Sequence, residues 1–367
     1  MKTNTDRLNP IQAMTLTTTS ILSVEILRSQ QTIAQIAGQD AWISIALGGF
    51  LSLASGMACY LLASLYPDKD FPEINLDVAG KFIGRLLLLA FSVYMILYVS
   101  LSLKIFAQAL KMFLLDRTPI QSLVLFMAIV AGYAVFKGLY TIGGVVDIIF
   151  PFVMITIIAI ILLSIPKTNP IYLKPVMFDN TKDILKGVLP SFQNFTGFSF
   201  ILYFFSHSDN TRSSIFWYMA GILIPMVLYI SLTAVSIGVF GVKDLLTLIF
   251  PTLTLLKEIE FPGTFLERLE AFGAVLWIVI VFASVVSFYY MSTRNLVVLF
   301  SIKSKYLKYV VWGLIPVFYF IAMYQESGIL VLEYPQRVSP LQTILGLLVI
   351  PTLAITAFFK KRKGRSQ

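Results

Sequence analysis

Glu25 and Arg28 stand three residues apart inside an apolar run, where a membrane-crossing helix normally carries no charge. The stretch around them is Ile11–Asp40, IQAMTLTTTSILSVEILRSQQTIAQIAGQD. A charge at the centre of a bilayer costs about 3 kcal/mol on an insertion scale. Carboxylates held there usually face a bundle interior or a watery cavity, where they serve a ligand or an ion. The plainer alternative is a structural ion pair, with Arg28 one turn on or with Lys104 in a later apolar segment. Thr15, Thr17, Thr18, Thr19, Ser20 and Ser23 precede Glu25. Such hydroxyls can bond backbone groups freed where a helix unwinds. No proline or glycine marks the interruption. Ser23, Val24 and Glu25 are the first candidate ligand contacts.

A second polar island lies in PSFQNFTGFSF, which places Gln193, Asn194, Thr196, Gly197 and Ser199 in a hydrophobic frame. Gly197 permits unusual dihedrals, and the amides and hydroxyls can satisfy loosened backbone. Thr196, Gly197 and Ser199 are candidate contacts if the helix breaks here. Otherwise the small residues only let helices pack closely. Asp147, one turn after Gly143 and Gly144, could bind a cation or pair with Lys137 or a neighbouring helix. Tyr94 and Tyr98 form a stripe of the kind that usually fills a core. Tyr98 lies at mid-membrane depth and is also a candidate contact. Ser284 and Ser287 share one helical face; Ser284 could line a pocket, although lone serines in membrane helices more often pack. His207, beside Ser206, Ser208 and Asp209, reads as solvated.

The elements that must position these residues follow from composition. Of 367 residues, 57% are hydrophobic and 13% charged, against about 25% charged in soluble domains. The chain is an all-α integral membrane protein. One cysteine, Cys59, and one histidine leave no intramolecular disulfide, multi-cysteine metal site or paired-histidine zinc motif. No phosphate loop, dinucleotide motif or His-Glu-x-x-His is present, so neither an enzyme nor a cofactor or metal is expected. MKTNTDRLNP precedes the first apolar run without a small-residue cleavage site, which argues against a removable signal peptide.

A bilayer core about 30 Å thick needs roughly 20 apolar residues, and about ten stretches qualify. They are Leu8–Gly38, Ala41–Tyr66, Arg85–Leu115, Thr118–Phe136, Leu139–Ile165, Gly187–Ser206, Ser213–Val242, Ala271–Thr293, Tyr309–Gln325 and Val338–Phe359. Both polar islands fall in spans, the first and the sixth, as an inverted five-plus-five repeat with two broken helices requires. The chain then divides into a repeat at 8–165, a second at 187–327, a final helix at 338–359 and a basic tail at 360–367. Lys69, Lys81, Arg85, Lys137, Arg212, Lys303, Lys305, Lys308 and the tail fall on one side, which puts both termini in the cytoplasm. The tail, KKRKGR, reads as an anchor on anionic membrane lipid and not as a nucleic-acid patch. Pro67–Lys81 should hold a short amphipathic turn, and Pro170 and Pro175 should break Lys167–Lys186. Gly241–Glu270 should place one or two helices in the outer interface.

Three stretches carry a family resemblance: AGQDAW at Ala37–Trp42, LLDRTPIQ at Leu114–Gln121 and FPTLTLLKEIEFPGTFLERLEAFGAVLWI at Phe250–Ile278. They resemble the B subunit of bacterial spore germinant receptors, a branch of the amino acid–polyamine–organocation transporter superfamily. The resemblance implies a leucine-transporter-like ten-helix fold with unwound first and sixth helices. It also implies residence in the spore inner membrane, assembly with a larger A subunit and a lipoprotein C subunit, and a small nutrient, usually an amino acid, as ligand. Family members usually carry glycine-x-glycine and then proline at the first break; here Ser23, Glu25 and Ser29 stand there. An ionised Glu25 would compete with a ligand carboxylate for the amides of the half-helix. It must turn to Arg28 or Lys104, be protonated, or meet a cationic group on the ligand. Three functional readings follow: a receptor subunit, an amino-acid permease coupled to protons or sodium through Glu25 or Asp147, and a scaffold with a degenerate pocket.

Overall fold

The computed structural model describes residues 7–177, 181–209, 214–258, 269–324 and 340–364. Its regular elements are helices, and an isolated backbone bridge between Leu8 and Ser208 is the one strand-like contact among the described residues. The first helix, α1 (Pro10–Ile21), starts on a reciprocal cap in which Asn9 and Gln12 satisfy each other's backbone amides, with Pro10 in the first turn. This is the arrangement that best covers the free donors of a helix start. Leu22 and Ser23 then leave helical geometry, and Val24–Leu27 forms a single 3-10 turn before α2 (Ser29–Ala37).

α3 (Ala41–Leu65) follows after a short turn, and α4 (Phe71–Ala79) is the amphipathic piece expected between the second and third spans. Phe71, Ile74 and Val78 are its buried stripe, at helical spacing. α5 (Lys81–Phe113), α6 (Ile120–Lys137) and α7 (Leu139–Ser164) are continuous. Two 3-10 turns, Ile165–Lys167 and Pro170–Leu173, occupy the connection that the prolines interrupt. α8 (Thr181–Gln193) begins about two turns earlier than expected. It gives way to a 3-10 stretch at Thr196–Phe200 and the short α9 (Ile201–Phe204). α10 (Ser214–Leu245) kinks at Gly241, whose φ of 68° suits glycine alone. α11 (Pro251–Glu258), α12 (Leu269–Leu299), α13 (Leu307–Tyr324) and α14 (Ile350–Gly364) complete the bundle, α14 being entered through a π-helical turn at Leu345–Val349.

Among the described residues, eight stretches are long and apolar enough to cross a membrane, and one of them runs through α2 and α3 from Ser29 to Leu65. The first and sixth expected spans are absent from that set because each is interrupted, at Leu22–Arg28 and at Asn194–Phe200. Arg212, residues 259–268 of the long connection and residues 325–339 lie outside the described residues.

Two expectations change. In the described part of Gly241–Glu270, the helix α11 packs into the bundle and does not lie on its outside. α11 buries Thr252, Leu253, Leu255 and Leu256 within the bundle. The basic tail is also engaged with protein. Lys360 Nζ donates to Asp77 O, Lys361 Nζ donates to Leu65 O, and the Lys361 ammonium lies 4.7 Å from the centre of the Tyr66 ring. The last turns of α3 and α4 expose carbonyls with no helical partner, and ammonium groups are their natural caps.

Candidate ligand site at two helix breaks

The two interruptions meet inside the bundle. A side-chain carbon added to Gly197 would lie 2.3 Å from Ser20 C and 2.5 Å from Ile21 N, so the second break rests directly on the backbone at the end of α1. The threonines of α1 take no part in holding the break. Thr17 and Thr19 donate to carbonyls four residues back, Ala13 O and Thr15 O, and Ser20 donates to Leu16 O and to Ser287 Oγ. In a helix interior this is the nearest acceptor available to a hydroxyl.

The first break is held from elsewhere. Tyr98 Oη on α5 donates to Ser23 Oγ at 2.7 Å, and Tyr229 Oη on α10 donates to Ile21 O at 3.2 Å. Thr252 Oγ1 on α11 donates to Ile26 O at 2.5 Å and accepts from Gln30 Nε2 at 2.8 Å, while Gln30 Nε2 also donates to Ile26 O. Phe288 stacks on Tyr98 with ring centres 4.1 Å apart, and Phe195 meets Tyr229 edge-on at 5.4 Å. Replacing Thr252 with valine keeps the shape, removes two hydrogen bonds and leaves Gln30 Nε2 and Ile26 O only each other. It is expected to cost about 1–3 kcal/mol, read as a lower midpoint of thermal unfolding of the detergent-purified protein. Thr254→Val, which loses only a bond to Phe250 O just before its own helix, is the control; equal midpoints for the two variants would refute the role given to Thr252.

The second break is sealed by the start of the last span. Gln342 Nε2 donates to Gln193 O at 2.8 Å and to Thr196 Oγ1, and Gln193 Nε2 donates to Thr343 Oγ1 at 3.0 Å. Ser199 Oγ donates to Thr196 O. A cavity of about 20 Å³ lies between Tyr94, Thr196, Ser199, Gln342 and Gly346. That admits about one water molecule, so the site is closed. Tyr94 Oη, which lines this cavity, and Asn194 Nδ2, buried at the break itself, have no protein partner among the described residues.

Of the candidate contacts, Ser23 and Tyr98 bond each other, Gly197 lies against α1, and Thr196 and Ser199 line the cavity. Val24 is buried in the turn. Glu25 is half-buried and within electrostatic reach of Tyr94, Tyr98 and Tyr229. Ser284 spends its hydroxyl on Val281 O; the serine of that face which meets α1 is Ser287.

The expected ion pairs are not formed. Glu25 makes no salt bridge among the described residues, with Arg28 or with Lys104. Arg28 has left the helical conformation of the turn (φ −128°, ψ −15°) and lies within electrostatic reach of Glu25 without closing a salt bridge with it. Lys104 is six residues beyond Tyr98, so its side chain leaves α5 about 120° around from the tyrosine that touches the break. Asp147 accepts from Gln12 Nε2 at 2.7 Å and Thr15 Oγ1 at 2.8 Å, which ties α7 to α1. Lys137 lies instead over the Tyr133 ring.

Thr252, Tyr229, Gln342 and Gln30 escape sequence reasoning: Tyr229 is a lone polar group in an apolar run, Gln30 is one of several polar residues in RSQQT, and Thr252 and Gln342 are not set apart from the threonines beside them. The pattern FPTLTL, with Pro251 opening a helix, is the one signal that could have drawn attention to Thr252.

Comparison with known proteins places this geometry. The family model described as spore germination protein matches residues 7–328. The chain is 26% identical over 359 residues to spore germination protein YndE of Bacillus subtilis (strain 168), covering 97% of this chain and 98% of that protein. It is 28% identical over 325 residues to spore germination protein A2 of the same organism, covering 86% of each. Among solved structures, Mhp1, a nucleobase-cation-symport-1 family transporter in a closed conformation with bromovinylhydantoin bound, superposes with a TM-score of 0.70 at 12% identity, covering 94% of this chain and 78% of that one. A Na+-coupled sialic acid symporter superposes with a TM-score of 0.61 at 14% identity, covering 94% and 80%. The fold is therefore that of transporters with two broken helices, and the multi-pass membrane chain belongs to the spore germination permease family.

Proposed function

We propose that this chain is the germinant-binding transmembrane subunit of a spore germinant receptor, resident in the spore inner membrane with both termini cytoplasmic. Its partners are a larger A subunit and a lipoprotein C subunit, and its germinant is an amino acid. One observation carries this reading: two helix breaks meet inside the bundle, Tyr94 Oη lines the small closed cavity beside the second break, Asn194 Nδ2 is buried at that break, and neither has a protein partner among the described residues. Buried polar groups left unpaired are costly, and a small polar ligand admitted between the breaks would satisfy them. Ser23, Val24, Tyr98, Thr196, Gly197 and Ser199 frame the ligand. Glu25, which makes no ion pair of its own among the described residues, faces its ammonium group. Binding then shifts the subunit between conformations through its differential affinity for them.

Glu25→Gln removes the charge and keeps the volume. A hydrogen bond to a charged group is worth about 1.5–3 kcal/mol, so the germinant concentration for half-maximal germination should rise about tenfold or more. Spores that carry this variant as their only copy, at equal protein abundance, provide the measurement. An unchanged dose–response curve would remove Glu25 from the site. Labelled amino-acid uptake into vesicles containing only this chain decides between receptor and permease: saturable, gradient-driven uptake would assign a coupled permease.

A further inference from the structure

Lys104 is a buried lysine with no task in the site above. Its residue is 9% exposed, and its ammonium meets no carboxylate or other protein acceptor among the described residues. It lines a cavity of about 710 Å³ between α5, α6 and α13, remote in character from the closed central site. Lys111 also lines it. Seven residues separate the two lysines, which puts both on one face of α5, about 10 Å apart along the axis. Gln121 adds an amide and Tyr319 a phenol, whereas Pro119 and Phe320 make apolar wall. No acidic residue lines the cavity among the described residues. A largely buried lysine whose ammonium opens into this cavity without a carboxylate calls for an anion.

The depth of the two lysines selects which anion. α5 has 33 residues, about 50 Å of helix, against a hydrocarbon core of about 30 Å. Centred on the core, α5 projects about 10 Å beyond it at each end. Lys111 then stands in the headgroup layer, and Lys104 lies about one turn inside the hydrocarbon boundary, close enough to extend its ammonium outward. The side of the cavity toward α13 is apolar and open: Phe320 is 69% exposed and Tyr324, one turn on, 88%. Two cations straddling the boundary beside exposed aromatic surface match a phosphate that carries acyl chains better than a freely dissolved anion.

We propose that the cavity between α5, α6 and α13 holds the phosphate of an anionic lipid headgroup, with Lys104 and Lys111 as its counter-charges. The site lies at the end of the bundle opposite the chain termini and is independent of the nutrient reading. The test uses the full chain in nanodiscs of equal phosphatidylglycerol and phosphatidylcholine content, released gently and weighed by native mass spectrometry. Retained lipid should be enriched in phosphatidylglycerol, with each lysine contributing about fivefold. Lys111→Gln, at an exposed position, should lower the enrichment; Lys104→Gln/Lys111→Gln should abolish it, and Lys104→Arg should preserve it. If the double variant does not fold, the two single substitutions carry the test. Equal retention of both lipids by the wild type, or undiminished enrichment in the lysine-to-glutamine variants, would overturn the proposal. Displacement of the lipid by millimolar inorganic phosphate would assign the cavity to a free oxyanion and overturn the lipid assignment.

Discussion

Gly197→Ala should destabilise the protein by about 3 kcal/mol or more, near the top of the range for an overpacked core. Most overpacking is relieved when a neighbouring side chain rotates. Here the new methyl group would meet Ser20 C at 2.3 Å and Ser20 O and Ile21 N at 2.5 Å, and backbone cannot rotate away. Relief requires the two half-helices to separate, which also strains the bonds of Ile21 O with Tyr229 and of Thr196 with Gln342. Thermal unfolding of the purified variant reads the loss. Gly144→Ala, where an added carbon meets nothing within 4 Å, should leave the midpoint nearly unchanged. Equal midpoints for the two variants would mean that the breaks are not in close contact.

Arg294→Met should be about as damaging, for an electrostatic reason. Arg294 on α12 donates through Nε, at 2.7 Å, and through Nη2 to Asp70 Oδ2, at the start of α4. The Asp70 side chain is 2% exposed, and its Oδ1 has no partner among the described residues. Removing the arginine leaves a buried carboxylate with nothing to compensate it, a loss of about 3–5 kcal/mol. The double variant Asp70→Asn/Arg294→Met should recover much of it, because no buried charge remains. A double variant no more stable than Arg294→Met would show that the loss is one of packing alone.

Both interruptions were legible in the chain: a carboxylate inside an apolar run marked the first, and Gln193–Ser199 marked the second. The long helices were legible to within a turn or two, because hydropathy and helix length report the bilayer directly. What closes the site was not. Thr252 reaches Ile26 across 226 residues and Gln342 reaches Thr196 across 146, and no local pattern announces a partner that far away. The ion pairs expected for Glu25 and Lys104 failed for a related reason. Opposite charges were matched by type, whereas helix phase sends Lys104 out on another face of α5. Asp147 found neutral donors on α1, since an amide and a hydroxyl within reach satisfy a carboxylate without a second buried charge.

The bridge at Leu8 has a mechanical meaning. Leu8 N donates to His207 O and Asp209 N donates to Leu8 O, at 2.8 and 2.9 Å, so the entry to α1 and the exit from the sixth span are stitched by backbone. Net of competition with water, two such bonds amount to about 1–3 kcal/mol, a few times thermal energy. Displacing the near half of either broken helix would therefore pull on the other or break these bonds, at a surface where Arg7 and Asp209 face each other at 3.8 Å.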